Sequence, residues 1–146
     1  MKKMTFLLRF LLGAIFVYAS WDKLMNPVGF AQAIGNYHIL PDALIGPAAL
    51  WLPWLELVVG LALMVGWFRH GAASVATGLM AIFTAAVAYS HARGLDINCG
   101  CFTTTPEATS DMRLVLTRDI CLTVLCVLVL CRTLLEHKNG GPRQGD

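Results

Sequence analysis

Trp67-Phe68-Arg69-His70-Gly71-Ala72 decides the fold. Arg69, His70 and Gly71 form a short polar break between two apolar runs, Leu44 to Phe68 and Ala72 to Ser90. Each run is close to the roughly 20 residues that an apolar helix needs to cross the hydrocarbon of a bilayer. A connection this short returns the second helix antiparallel against the first. Two more apolar runs lie outward of this hairpin, Thr5 to Trp21 and Leu114 to Leu135. The chain therefore reads as an all-α integral membrane protein, a four-transmembrane-helix bundle over residues 1–135, with spans at about 5–21, 44–68, 72–90 and 114–135. A second polar loop occupies 91–112, and the Gly-rich polar stretch 136–146 reads as a disordered tail.

Composition agrees. Hydrophobic residues make up 57% of the 146 residues and charged residues 14%, against roughly 45–50% and 25% in ordinary soluble domains. So much apolar surface cannot be hidden in one small soluble core, whereas lipid can solvate it. The net charge of +2, with no basic run, excludes a nucleic-acid binder.

Lys2 and Lys3 followed by an apolar run, with Val17-Tyr18-Ala19 beyond, resemble a signal peptide. Arg9 inside the run, and the membrane character of the rest of the chain, favour a first helix that is retained. Between Trp21 and Ala43, Pro27 and Pro41 punctuate a mixed segment. Phe30, Ile34 and Tyr37 fall at helical spacing there, which fits a short interfacial helix; a surface loop is the other reading. Trp51, Trp54 and Trp67 are distributed as an aromatic belt would be. The third span, rich in Ala, Gly, Ser and Thr, suits close helix packing.

Four spans put both termini on one side. Lys2, Lys3, Arg69, Arg132, Lys138 and Arg143 lie on that side, and Lys23, Arg93 and Arg113 on the other. Six against three favours cytoplasmic termini in a bacterial inner membrane. The second polar loop then faces the periplasm or exterior, where disulfides persist.

That loop carries Asn98-Cys99-Gly100-Cys101-Phe102. A disulfide across one residue is strained, because the bond prefers Cα atoms about 5.5–6 Å apart. Strained disulfides are labile and redox-active rather than structural. Cys99 and Cys101 are thus the candidate redox pair. Idle loop cysteines and a soft-metal site are the alternatives. With His91 the nearest further ligand and no second pair, no metal site is assigned. Cys121, Cys126 and Cys131 in the last span read as small apolar fillers. Cys121, nearest the outer end, is also a candidate resolving thiol. Arg9, Glu56, Arg118 and Asp119 lie inside spans, where charge is costly and pairs face the bundle interior. Arg9 with Glu56 is one pairing that fits a structural clamp between helices. Glu56 as a proton relay or quinone contact is the sharper reading. Arg118 could pair with Asp119, snorkel, or favour a nearby thiolate.

The chain resembles the DoxX-like membrane proteins, and within them the MauE branch of methylamine-utilisation proteins. The resemblance rests on Arg9 to Lys23, ending in Trp21-Asp22-Lys23-Leu24-Met25-Asn26-Pro27; on Tyr37-His38-Ile39-Leu40-Pro41; on Leu52-Pro53-Trp54-Leu55-Glu56-Leu57 with Gly60 and Gly66; and on Asn98-Cys99-Gly100-Cys101-Phe102 with Arg118-Asp119. It implies a four-helix membrane protein tied to periplasmic thiol chemistry. The implied partner is a thioredoxin-like protein of the MauD type, and the implied client is the disulfide-rich small subunit of methylamine dehydrogenase.

Three functions stand as expectations. The first is a membrane thiol–disulfide redox or maturation factor; if it is an enzyme, it is a thiol–disulfide oxidoreductase. The second is a non-catalytic scaffold, which needs the helices and not the thiols. The third is a quinone-linked oxidoreductase subunit, using Glu56 and the tryptophans Trp21, Trp51 and Trp54. No cofactor motif is evident, and a quinone is the one cofactor kept in view.

Overall fold

The computed structural model describes residues 2–94 and 112–139. These form five helices: α1 (Lys2–Met25), α2 (Pro27–Asn36), α3 (Asp42–Val65), α4 (Arg69–Ala92) and α5 (Met112–Asn139). No strand occurs among the described residues. Helices α1, α3, α4 and α5 are each long and apolar enough to cross a bilayer, so the chain is a multi-pass, all-α membrane protein.

The four long helices form a closed ring in the order α1–α3–α4–α5, each antiparallel to its neighbours, with α2 against α3 and α1. The central core is drawn from all four: Leu12 and Phe16, Val59 and Leu63, Ala76 and Met80, Cys126 and Val129. Outside it, large apolar side chains such as Leu11, Val58, Ile82 and Leu128 stay exposed. A soluble surface would not tolerate them in such number, but hydrocarbon does.

Local chemistry sets the joints. Asn26 caps α2 by accepting a hydrogen bond from the Gly29 amide at 3.0 Å, with proline in the first turn, an arrangement that satisfies one of the otherwise unpaired amides. The segment read as either an interfacial helix or a loop is thus a helix, and it buries Phe30 and Ile34 rather than displaying them. The α3–α4 turn lies nearer the N-terminus than expected. It occupies Gly66 to Phe68, and Arg69, His70 and Gly71 already belong to α4. Gly66 adopts φ +82° and ends α3 in the left-handed conformation, which glycine reaches without steric cost. At the other end, α5 takes Glu136, His137 and Lys138 into its last turns; the tail beyond lies outside the described residues.

At their crossing, α1 and α3 come into backbone contact. A Cβ on Gly13 would lie 2.6 Å from the Gly60 carbonyl oxygen, and one on Gly60 would lie 2.9 Å from that of Gly13. Small residues permit such an approach, which maximises packing where no hydrophobic effect drives helices together.

Candidate functional site

One face of α1 is buried from end to end through Thr5, Arg9, Leu12, Phe16, Ala19 and Lys23. Arg9 and Lys23 bring charge into the bundle on this stripe, near opposite ends of the helix.

Lys23 pairs with Glu56. Its ammonium donates to both carboxylate oxygens, at 2.8 and 2.7 Å, and the two residues are 2% and 4% exposed. The same nitrogen lies 5.2 Å from the ring centroid of Phe30 on α2 and 5.1 Å from that of Phe83 on α4. Ring faces attract a cation most strongly where water is excluded. One side chain of α1 therefore joins α2, α3 and α4. A small cavity of about 20 Å³ adjoins the pair, lined otherwise by apolar residues including Phe16, Ala19, Met80 and Leu122.

Arg9 does not meet Glu56. Its Nε donates to the Leu63 carbonyl at 2.8 Å. The pairing of Arg9 with Glu56 is corrected by simple geometry: Arg9 lies opposite the last turn of α3, while Glu56 is two turns further back, within reach of Lys23. The last four carbonyls of a helix lack intrahelical donors, so Arg9 satisfies one of them and also places a cation at the negative end of the α3 dipole. Arg9→Met is expected to destabilise the fold by about 1–3 kcal/mol, the cost of leaving a buried acceptor without a donor. Unfolding in detergent micelles would measure it, and an unchanged transition would refute the capping role.

Asp119 is fully buried on α5. Its Oδ1 accepts from Arg118 at 3.1 Å, so the Arg118–Asp119 pairing is present, with Arg118 half-exposed. Around it the Thr123 hydroxyl donates to the Asp119 carbonyl at 2.8 Å and meets the Thr84 hydroxyl at 2.8 Å, which ties α4 to α5. Above this network Tyr37, Val87 and Val115 pack together. Val87 and Val115 lie near the end of α4 and the start of α5.

Cys99 and Cys101 lie in that loop, outside the described residues. Of the three cysteines on α5, Cys126 is buried in the core, whereas Cys121 and Cys131 are exposed free thiols. The filler role therefore holds for Cys126 and fails for the other two, which point away from the bundle. Among the described residues no cluster of three His, Cys, Asp or Glu could hold a metal.

Sequence reasoning missed Lys23 as a site residue and counted it among loop charges. The signal was present. Phe16, Ala19 and Lys23 continue the three-to-four-residue spacing of the buried face, past Trp21, where the apolar run ends.

The family described as "Methylamine utilisation protein MauE" matches residues 1–132. The chain belongs to the MauE family. Curated relatives, each named "Methylamine utilization protein MauE", include one from Paracoccus denitrificans, 35% identical over 84% of this chain and 66% of the relative, and one from Methylophilus methylotrophus, 42% identical over 57% of this chain and 44% of the relative. The chain spans about half to two thirds of the length of the MauE relatives it matches. No solved structure is significantly similar to it. The MauE match takes in the Lys23–Glu56 pair, the Cys99-Gly100-Cys101 stretch and the Arg118–Asp119 pair together.

Proposed function

We propose that this MauE-family chain is a thiol–disulfide maturation factor of the bacterial inner membrane. It acts through Cys99 and Cys101 on a periplasmic protein that acquires disulfides, by resemblance the methylamine dehydrogenase small subunit. The observation that carries the reading is the Cys-Gly-Cys stretch, set in the loop between α4 and α5 within a chain that is otherwise membrane helix. Topology supports it. The side bearing that loop carries Lys23, Arg93 and Arg113, with Lys23 buried in an ion pair, against six Lys and Arg on the termini side. That asymmetry favours cytoplasmic termini and an outward thiol loop.

The chemistry is disulfide transfer. A thiolate of the client attacks one sulfur of the Cys99–Cys101 disulfide and forms a mixed disulfide. The client's second thiolate then displaces the chain's sulfur. The client loses two electrons and two protons overall, and Cys99 and Cys101 become a dithiol. A disulfide of a thioredoxin-like partner of the MauD type reoxidises them and is itself reduced. Cys121, an exposed thiol on the outer half of α5, is the candidate resolving residue.

Acid trapping in native membranes, followed by labelling with a thiol reagent that cannot cross the inner membrane, tests the proposal. Cys99 and Cys101 are expected to label from outside only after reduction, and Cys99→Ala or Cys101→Ala to accumulate a mixed disulfide with another protein. If both thiols stay reduced and the double alanine variant still supports maturation, the chain is a scaffold and the redox reading is wrong. Loss of the Cys121 thiol by substitution to Ser, with turnover unaltered, would remove that residue from the mechanism.

A further inference from the structure

Where α1 begins and α3 ends, two guanidinium groups lie side by side. Arg9 is 5% exposed and donates through Nε to the Leu63 carbonyl. Arg69 is exposed and donates through Nε to the Gly66 carbonyl at 3.2 Å. Gly66 lies against both: a Cβ on it would meet Arg9 Nη2 at 2.7 Å and Arg69 Nε at 3.6 Å. A guanidinium has five N–H donors, and each arginine spends one in these bonds. No described residue accepts from the Nη atoms of Arg9. They are not sealed in either, since the buried side-chain atoms without a partner among the described residues are His70 Nδ1 and Ser90 Oγ.

Two like charges this close repel each other unless an anion joins them. The described residues supply none at this point. No described carboxylate forms an ion pair with either arginine, and Glu136, near the end of α5, accepts instead from the Thr5 hydroxyl at 2.9 Å. Arg69 also opens α4, which no side chain caps, so first-turn amides add to the guanidinium donors.

The surroundings suit an amphiphile. Trp67 and Phe68, in the same turn as Gly66, are exposed, as aromatic side chains at a membrane interface are. Phe6, whose ring centroid is 5.8 Å from the Arg9 guanidinium carbon, and Val65 are exposed beside them, where acyl chains would run. Guanidinium groups match the oxygens of a phosphate bidentately. A choline headgroup would bring its own cation toward the arginines, whereas a headgroup of net negative charge would not.

We propose that Arg9 and Arg69 together bind the phosphate of an acidic phospholipid, with its acyl chains beside Phe6 and Val65. The site lies at the end of the bundle opposite the loop that carries Cys99 and Cys101, and it belongs to no step of the thiol chemistry. It stands or falls separately from the proposed function.

Native mass spectrometry of the full chain, released from detergent with phosphatidylglycerol or phosphatidylcholine added, tests it. One phosphatidylglycerol is expected to be retained at a concentration several-fold below that needed for phosphatidylcholine. Arg69→Met changes an exposed side chain, leaves the Arg9 bond to Leu63 in place, and is expected to abolish the preference. Arg132→Met removes another exposed charge from the same half of the bundle, on α5, and is expected to leave the preference intact. Equal retention of the two lipids by the unaltered chain, or a preference unmoved by Arg69→Met, would overturn the site. Equal losses in Arg69→Met and Arg132→Met would overturn it too, by showing diffuse attraction to a charged end. Excess inorganic phosphate is expected to leave the lipid in place, because it has no chains to seat. Displacement of phosphatidylglycerol by phosphate would assign the arginines to a free anion and overturn the lipid as their ligand.

Discussion

Glu56→Leu alone is expected to destabilise the bundle by about 3–5 kcal/mol, the usual penalty for breaking a buried ion pair from one side. The variant takes the carboxylate from the Lys23 ammonium and leaves it against Phe30, Phe83 and aliphatic side chains. A charge in hydrocarbon costs about 2.5–3.5 kcal/mol even on the lenient insertion scales. Lys23→Leu is likewise expected to destabilise the bundle, because it leaves the buried Glu56 carboxylate without its cation. Lys23→Leu/Glu56→Leu is expected to recover most of the loss, since replacing a whole buried pair with apolar groups is often neutral. A double-mutant cycle from unfolding in detergent micelles measures all three. A cycle in which Glu56→Leu costs under about 1 kcal/mol would mean that bulk water reaches the pair and that its burial does not hold in solution.

The second large effect is at the helix crossing. Gly13→Leu is expected to abolish the native α1–α3 contact. Overpacking a core usually costs about 1–3 kcal/mol, and the cost here belongs at or above the top of that range. The atom met at 2.6 Å is a backbone carbonyl oxygen on Gly60, which cannot rotate away as a side chain would. The whole helix must shift, and the Arg9 contact to the Leu63 carbonyl and the Lys23–Glu56 pair shift with it. Gly78→Leu is the control, because a Cβ on Gly78 meets nothing within 4 Å. It is expected to fold as well as the unaltered chain. Equal folded yields for the two variants would show that the α1–α3 contact is looser than described.

Particular residues show what could be read beforehand. The four spans were legible because some 20 consecutive apolar residues have few other uses, and α2 was half-legible because Phe30, Ile34 and Tyr37 fall at helical spacing. Lys23 was misplaced because its charge reads as the end of a helix, when it continues the buried spacing of Phe16 and Ala19. Arg9 was known to need a partner, but that partner is the carbonyl of Leu63, and a backbone atom leaves no mark in a sequence. Gly13 went unremarked because its close contact depends on which helix lies opposite, a property of two segments together. The thiol pair was the most conspicuous feature of the sequence, and its support remains the sequence and the family.

The Lys23–Glu56 pair also bears on how the protein responds to an energised membrane. A single elementary charge carried across the full potential gains or loses about 2.3 kcal/mol per 100 mV. A lysine or a glutamate alone inside the bundle would make its stability depend on voltage. Held at 2.7 Å, the two charges cancel at any distance much larger than their separation. The electrical state of the cell then exerts almost no net force on this centre, and the junction of α1, α2, α3 and α4 keeps the same balance of forces whether the membrane is charged or depolarised.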